Sequence, residues 1–307
     1  MQDGGWHGLL DREAELSAVA AAVALAPGRT GGLLVVRGPA GIGKSALLRV
    51  SERLAEEQGV TVLRARAAPF EREFPYGVVR QLFEPALARG DLPVDDLLAG
   101  AASGARAVLG DEPRSSATPD SQFVVLHGLY WLTANLASHG PLLVCVDDAI
   151  WCDEASLRYL EFLVRRLEGM AAVVALAYRT GEPGASDVVE GLVSDPLARV
   201  VQPGPLSEAA LAGMLGSGLG EEVDPGFCAA CREATGGNPL LVTELLRAFE
   251  MERVRPRAIE VARVRRIGAV AVGPSVRRRL AFLGEDGRGV ARALAILFTP
   301  VGAIAFS

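Results

Sequence analysis

The sequence predicts an α/β fold in which a doubly wound, mostly parallel sheet is followed by an all-helical region. Two unbroken apolar runs, at 142–146 and 171–178, are typical of parallel strands that are buried on both faces. Shorter strand candidates lie at 33–36, 60–65 and 200–201. Strands that alternate with helical patterns indicate βαβ units, which build a parallel sheet.

Helical periodicity fills the intervals between these strands. The pattern at 9–26 is stopped by Pro27-Gly28, and a weakly patterned insert at 90–119 contains some helix around 97–109. Four more helical segments precede the last strand. One begins at Ala46, and the others span 76–88, 120–138 and 154–167.

From about residue 205 the pattern is entirely helical. Three segments, at 207–215, 225–234 and 239–250, have helical spacing. Gly236-Gly237-Asn238-Pro239 breaks the chain sharply between the last two. We interpret this break as the joint at which the helical part hinges on the sheet domain.

A glycine-rich motif follows the first strand and fits the pattern G-x-x-x-x-G-K-S without a mismatch. It consists of Gly38, Pro39, Ala40, Gly41, Ile42, Gly43, Lys44 and Ser45, and the helix begins at Ala46. Such glycines let backbone N–H groups surround phosphates, and the helix N-terminus favours negative charge there. A chance glycine-rich turn is the alternative, but the strand before the motif and the helix after it favour a P-loop NTPase.

Lys44 is the only lysine in the chain, and the other 30 basic residues are arginine. A compact ammonium on a flexible stem is suited to reach the β- and γ-phosphates of a nucleotide. The Ser45 hydroxyl is then available to Mg²⁺. The motif therefore predicts that residues 38–46 bind a nucleotide and that Ser45 is a metal ligand.

Two acids, Asp147 and Asp148, end the apolar run that begins at Leu142. They follow the P-loop by about a hundred residues, a usual separation in P-loop NTPases. We expect Asp147 to hold Mg²⁺ with Ser45, directly or through water, and Asp148 to orient or polarise the attacking water. The alternative is a pair of strand-end acids that face solvent.

Two further residues are candidates for the same site. Arg179 follows the strand at 171–178, where it is placed to contact the γ-phosphate and sense hydrolysis, although an arginine there can also simply cap the sheet. Pro239 either places a helix N-terminus over the base or only begins a helix.

Charge is distributed unevenly along the chain. The net charge of the 307 residues is −6, but residues 251–307 contain eleven arginines and only four acidic residues. A basic end of this kind can contact nucleic acid, yet no aromatic side chains interleave with the arginines, which favours a solvated helical surface.

The compartment is predicted from the ends of the chain and from its cysteines. No apolar stretch reaches the length of a membrane span, and the N-terminus lacks the features of a signal peptide. Four cysteines fit a reducing compartment. Cys228 and Cys231 have no second pair and only three histidines accompany them, so two small residues on one helix are favoured over a zinc site. We expect a cytoplasmic protein that has no contact with a membrane.

Several stretches together resemble the nucleotide-binding module of STAND-class P-loop ATPases, and more narrowly the N-terminal part of large ATP-binding transcriptional regulators of the LuxR type. Beside the P-loop, these stretches are Leu10-Asp11-Arg12-Glu13-Ala14-Glu15-Leu16, Glu73 to Glu84, Val146-Asp147-Asp148 with Trp151 and Asp153 to Leu157, and Gly236 to Leu241. They span about residues 8 to 250, and the combination is far more specific than the P-loop alone.

The resemblance implies a regulatory switch with ATP and Mg²⁺ as cofactors. It implies a P-loop NTPase domain at 8–203, a small helical lid domain at 204–250 and a partial winged-helix region with an atypical tail at 251–307. ATP would close the lid, and slow hydrolysis, a weak ATPase activity, would reset it. The resemblance also places Arg12 and Glu13 near the nucleotide, Arg179 as the sensor and Pro239 near the base.

The same resemblance implies bacterial transcription as the setting, with a homo-oligomer or a regulatory protein as partner. Three departures qualify it: Asp11 replaces a usual glycine, Ile150 replaces a usual histidine, and residues 298–307 no longer look like the family after a region at 274–297 that does. We therefore expect a shortened chain without a helix-turn-helix and without sequence-specific DNA binding of its own. A small-molecule kinase and a nucleotide-binding module without turnover are the alternatives.

Overall fold

The computed structural model describes residues 9–90, 92–110, 119–181 and 187–281, together with 287, 289, 290 and 293. The described residues divide into two compact units. The sheet unit contains residues 12–180 and 187–204, and the helical unit contains 9–11, 181 and the residues from 205 onward.

The sheet unit is built on five parallel strands in the order β2-β3-β4-β1-β5. The strands are β1 Gly32–Gly38, β2 Thr61–Arg66, β3 Leu142–Asp147, β4 Ala172–Arg179 and β5 Ala198–Val201. All five overlap the strand positions predicted from the sequence, although β5 begins two residues earlier than expected, and the predicted doubly wound α/β sheet is confirmed. The order places β4 between the strand that precedes the P-loop and the strand that carries the two acids.

Eight helices accompany these strands in the described part of the sheet unit. They are α1 Glu13–Val23, α2 Lys44–Glu57, α3 Gly77–Ala88, α4 Val94–Leu97, α5 Arg106–Leu109, α6 Pro119–His139, α7 Glu154–Val164 and α8 Asp187–Val193. Helix α8 was not predicted. The helix expected around 97–109 is instead two short helices separated by a 3₁₀ segment at Gly100–Ala105. The end of this segment packs against α6 so closely that a Cβ at Gly128 would lie 2.4 Å from the backbone nitrogen of Ala105.

The core of the sheet unit forms around the central strands. Every residue of β4 from Ala172 to Ala177 is buried, as expected for a strand covered on both faces. On one side Phe83 of α3 meets Tyr159 of α7 edge to face, with ring centroids 5.9 Å apart. The buried Tyr159 hydroxyl lies 2.7 Å from the hydroxyl of Thr133, so its polar end is paired within the core.

The helical unit contains α9 Glu208–Leu219, α10 Pro225–Thr235, α11 Pro239–Glu252 and α12 Val261–Ala281. Its apolar core includes Phe227, Leu245, Phe249, Val264 and Ile267. The first three helices begin with side-chain caps from Ser207, Asp224 and Asn238.

One expectation about this unit is wrong. Gly236 and Gly237 lie inside the helical unit, between α10 and α11, whereas the boundary between the units falls after Gly204. The Gly237 carbonyl accepts a hydrogen bond from the N–H of Leu206, which ties the break to the first residues of the unit. The two glycines therefore form a tight connection with positive φ rather than the joint between units.

The C-terminal region is described only in part. Helix α12 begins at Val261, before the stretch at 274–297, and contacts α10 and α11. Residues 298–307 lie outside the described residues, and the boundaries at 203/204 and 250/251 stay predictions. Within the described ranges, none of the helices has both the length and the apolar character that crossing a lipid bilayer requires.

Candidate functional site

The register of the strands brings the predicted site residues of the sheet unit to one edge. Gly38 at the end of β1 pairs with Arg179 at the end of β4, and Asp147 at the end of β3 pairs with Arg66 at the end of β2. Carboxyl ends of parallel strands are where open α/β sheets bind ligands. The P-loop, the two acids and Arg179 therefore share this edge.

The P-loop connects β1 to α2 through glycines with positive φ. Gly41 has a φ of 81° and Gly43 a φ of 106°, a backbone conformation that residues with a Cβ rarely adopt. Gly43 is the N-cap of α2 and has no side chain that could accept from the N–H groups of the first helical turn. The loop therefore leads directly into a helix N-terminus that favours an anion.

Lys44 is the first residue of α2 and is buried, with 5% of its surface exposed. Its Nζ donates to the carbonyl oxygens of Gly38 at 2.9 Å and Pro39 at 2.8 Å. The Gly38 carbonyl also accepts from the N–H of Thr180, directly after β4. The ammonium is thus held against the loop and next to the end of β4.

These features fit the phosphates of a nucleotide. A buried ammonium, an N-terminal helical turn capped by glycine and a loop of left-handed glycines together provide positive charge and backbone donors. Ser45, the second residue of α2, is half-buried, and Asp147 at the end of β3 is half-buried too. A hydroxyl and a carboxylate are ligand types that Mg²⁺ accepts.

The two acids have different surroundings. The Asp147 carboxylate accepts from the backbone N–H of Asp148 at 2.9 Å. Asp148 is buried, has a φ of 54° and forms two hydrogen bonds with Arg179: Nε to Oδ1 at 2.7 Å and Nη2 to Oδ2 at 2.9 Å. Asp148 therefore does not face solvent as an isolated strand-end acid, because its carboxylate is bound on both oxygens.

Arg66 is a member of this cluster that the sequence did not point to. Its Nη2 lies 4.0 Å from Oδ2 of Asp148, and 75% of its side chain is exposed. It ends β2, which neighbours β3 in the sheet, and an isolated arginine at a strand end carries no recognisable signal in a single sequence. The Asp148 carboxylate consequently has a second guanidinium group within 4.0 Å, in addition to that of Arg179.

Arg12 is buried at the start of α1 in the sheet unit. Its Nη2 donates to the carbonyl of Gly204 at 2.5 Å, and its Nη1 lies 3.7 Å from the Glu15 carboxylate. Gly204 follows Pro203, whose carbonyl oxygen is 3.9 Å from where a Cβ on Gly38 would lie. Arg12 is thus anchored beside the start of the P-loop, and its contact with a nucleotide stays a prediction.

Two positions at which the chain departs from the resemblance have a structural context. Asp11, in place of glycine, has a φ of 64°, a left-handed conformation that glycine adopts freely and aspartate tolerates. Its carboxylate accepts from the N–H of Ser207 within the helical unit. Ile150, in place of histidine, is buried in the 3₁₀ turn Ala149–Trp151 that follows the acids.

Pro239 lies in the helical unit, at the first position of α11. Asn238 caps this helix, accepting from the N–H of Leu240 at 3.1 Å and of Leu241 at 3.5 Å. Proline at the first helical position fits this arrangement without a ligand, because that N–H would have no helical partner. The role of Pro239 near a base stays a prediction.

The four cysteines are free and buried in the two cores. Burial raises the pKa of Cys145 and Cys152 in the sheet unit. Burial, followed by the neighbouring Cys228, raises the pKa of Cys231 on α10 to about 12. A thiol with a raised pKa is a poor nucleophile at neutral pH.

No curated protein is significantly similar to the chain in sequence. Among solved structures, the chain is similar to the Aeropyrum pernix Orc1 protein in complex with DNA, at 21% identity and a TM-score of 0.51 over 94% of this chain and 73% of that one. At this identity the similarity shows the fold alone.

Two weaker similarities have TM-scores of 0.44. One is to a STAND protein with a tetratricopeptide repeat sensor from Pyrococcus horikoshii, at 17% identity over 80% of this chain and 32% of that one. The other is to the Thermotoga maritima RuvB Holliday junction branch migration motor, at 11% identity over 83% and 69%. The chain thus spans about a third of the length of the STAND protein.

The family model of the AAA ATPase domain matches residues 9–176, which include the P-loop, both acids and most of β4. The matched segment is more than half of the 307 residues. The chain therefore belongs to the AAA ATPase domain family.

Proposed function

We propose that this chain is an ATP-binding, slowly hydrolysing switch module of a bacterial transcriptional regulator. The observation that carries the proposal is the single lysine of the chain, buried inside a P-loop whose strand end is in register with Arg179 and close to the paired acids. Membership of the AAA ATPase domain family supports ATP as the nucleotide.

Each residue of the candidate site has a proposed role that follows from its position. Residues 38–46 would surround the phosphates, with Lys44 neutralising charge on the β- and γ-phosphates. Ser45 and Asp147 would hold Mg²⁺, which supplies further neutralisation of the phosphate charge when bound. Asp148 would orient the attacking water, and Arg179 would stabilise charge that develops on the γ-phosphate.

The pairing of Asp148 with Arg179 supports slow rather than rapid turnover. A carboxylate that accepts two hydrogen bonds from a guanidinium is less available to accept a proton or hold a water. Turnover then requires Arg179 to leave Asp148, and a γ-phosphate is a competing partner for its guanidinium. A switch needs a long-lived ATP state, which slow turnover provides.

The transcriptional setting rests on the resemblance to LuxR-type regulators across about residues 8 to 250. Lid closure by the helical residues 204–250, a homo-oligomer or regulatory partner, and a cytoplasmic location are parts of the same proposal. A non-hydrolysing nucleotide-binding module is the second candidate, and the engagement of both Asp148 oxygens is the observation that favours it.

The discriminating experiment measures ATP binding by calorimetry and phosphate release in steady state, with Mg²⁺ and with EDTA. We expect tight Mg²⁺-dependent binding and slow release of phosphate to water. Phosphate transfer to an added small-molecule acceptor would instead show a kinase. Binding without any release over several hours would show the non-hydrolysing module, and absence of binding would refute the whole proposal.

A further inference from the structure

Asp153 is a buried carboxylate that the proposed chemistry does not use. It follows the two acids by five residues, caps α7 and has only 2% of its surface exposed. Its Oδ1 accepts from the backbone N–H of Ser156 at 2.8 Å, which is an ordinary N-cap. The sequence pattern, Asp153 followed by Glu154 in the first turn of α7, predicts this local N-cap but no contact with a distant segment.

The same carboxylate also caps a second helix that is distant in sequence. Oδ1 accepts from the N–H of Tyr76 at 2.7 Å and Oδ2 from the N–H of Val78 at 3.3 Å, both at the start of α3. Ser156 on α7 extends this link, because its hydroxyl accepts from the N–H of Val79 at 3.2 Å. Three donors at the N-terminus of α3 are therefore satisfied by residues of α7.

The link holds a strained segment in place. Tyr76 has a φ of 63°, and a left-handed conformation is costly for a residue with a large side chain. No side chain of its own segment caps α3, so the contacts from Asp153 and Ser156 replace a local cap. Removing them would leave buried backbone donors without these acceptors, which is a cost the segment can relieve by moving.

The segment before α3 also packs against the turn that follows the two acids. The 3₁₀ turn at Pro69–Glu73, just before Tyr76, contacts the 3₁₀ turn at Ala149–Trp151, just after Asp148. That second turn is bonded back to the acid, since the N–H of Trp151 donates to the Asp148 carbonyl at 2.9 Å. Asp153 thus joins the start of α3 to the start of α7 by hydrogen bonds, while the two 3₁₀ turns beside Tyr76 and Asp148 pack against each other.

We propose that Asp153 is a positioning residue that links the loop after β2 to the loop after β3 and so fixes the backbone of Asp148 for turnover. This proposal rests on the proposed function for its effect on hydrolysis. Two separate segments of the chain, around Tyr76 and around Ser156, thereby meet at one carboxylate.

The test uses Asp153→Ser in the full chain. Serine is a good capping residue, so its hydroxyl should still accept a hydrogen bond from the N–H of Ser156. Its shorter side chain cannot also accept hydrogen bonds from the N–H groups of Tyr76 and Val78. The matched control is Asp224→Ser, which changes the same residue type at the N-cap of α10 in the helical unit. Asp153→Asn is the milder variant, since it retains one oxygen acceptor in place of two.

Two readouts decide the outcome. For Asp153→Ser we expect kcat for Mg·ATP hydrolysis to fall about tenfold or more while KM changes less than about threefold, as for a residue that holds reacting groups in place. Without nucleotide, hydrogen exchange should accelerate at both 76–79 and 149–152. Asp224→Ser should change neither. If Asp153→Ser fails to fold, Asp153→Asn should show the same pattern with a smaller amplitude.

The proposal is overturned if the folded variant keeps kcat within about twofold of wild type, or if faster exchange is confined to 76–79. The two proposals fail separately. A wild-type chain that does not hydrolyse ATP would refute the proposed hydrolysis, whereas the exchange comparison would still decide whether Asp153 links the two loops.

Discussion

Arg179 and Asp148 form a two-point ion pair at the carboxyl edge of the sheet, with Nε–Oδ1 and Nη2–Oδ2 distances of 2.7 and 2.9 Å. The Asp148 side chain is 10% exposed and that of Arg179 is 28% exposed. A parallel, charge-assisted pair of this kind fixes both side chains strongly. The sensor candidate and the water-orienting candidate are therefore one unit, and neither can change position without affecting the other.

The first prediction concerns this pair. Asp148→Asn should retain Mg·ATP binding within about fivefold and lower kcat by about a hundredfold or more, because an amide is a poor proton acceptor. Arg179→Gln should also lower kcat. Kinetics of the two single variants and the double variant form a cycle, and strong non-additivity is expected for groups in direct contact. Wild-type turnover in Asp148→Asn would show that Asp148 serves only to hold Arg179.

The second prediction concerns Lys44. Lys44→Ala should weaken ATP binding by about a hundredfold or more, since hydrogen bonds from an ammonium to phosphate are among the stronger kind. The fold should persist, as judged by circular dichroism and thermal unfolding. Arg49→Ala removes one positive charge from an exposed position of the same helix and is the control, for which unchanged affinity is expected. Unchanged ATP affinity in Lys44→Ala, measured by calorimetry, would refute the P-loop assignment.

The third prediction concerns the helical residues. If ATP stabilises a closed lid, it should slow hydrogen exchange at 225–250 as well as at the P-loop. The control adds ATP to Lys44→Ala, in which protection should be lost in both regions together. Protection that is limited to the P-loop of the wild-type chain would count against a lid.

The fourth prediction follows from the raised thiol pKa values. Unfolded thiols titrate near pH 8.5, whereas burial raises the pKa of Cys231 to about 12. Above pH 8.5 the unfolded chain releases protons that the folded chain keeps, so the free energy of unfolding should fall as pH rises toward 12. Each such thiol contributes a slope of up to about 1.4 kcal/mol per pH unit.

Urea unfolding between pH 7 and 10.5 measures this slope. In Cys231→Ala the loss of packing shifts stability at every pH, but the slope above pH 9 should become shallower because one titrating group is gone. An identical slope in the variant would mean that Cys231 does not contribute to the alkaline loss of stability.

The fifth prediction concerns DNA. Residues 251–307 carry a net charge of +7, against −13 for the first 250 residues. Within the described part, Arg255, Arg263 and Arg265 already pair with acidic side chains. We expect weak binding that decreases steeply with salt and shows no preference among sequences, because phosphate contacts carry no base information. A tight, sequence-selective complex in a gel-shift at physiological salt would contradict this.

The candidate site could be predicted from the sequence where its residues are consecutive in the chain. The spacing of Gly38, Gly43, Lys44 and Ser45 is itself the phosphate loop, since backbone donors and the lysine come from one short segment. Arg66 and the long-range contacts of Asp153 were not predictable, because they depend on which strand ends and helix starts become neighbours. The wrong assignment of the joint between the units has the same origin. Gly236 and Gly237 indicate a break in the chain, but a local pattern does not show which packed units lie on either side of it.

The sequence by itself determined the five strands, the phosphate loop and the presence of two acids at a strand end, because apolar periodicity and turn residues act over a few neighbouring positions. Only the tertiary structure decided that β4 lies between β1 and β3. That order brings Arg179 against Asp148 and the end of β4 against the P-loop. Strand order is set by the packing of helices on both faces of the sheet, which is a property of the whole unit and of no local pattern.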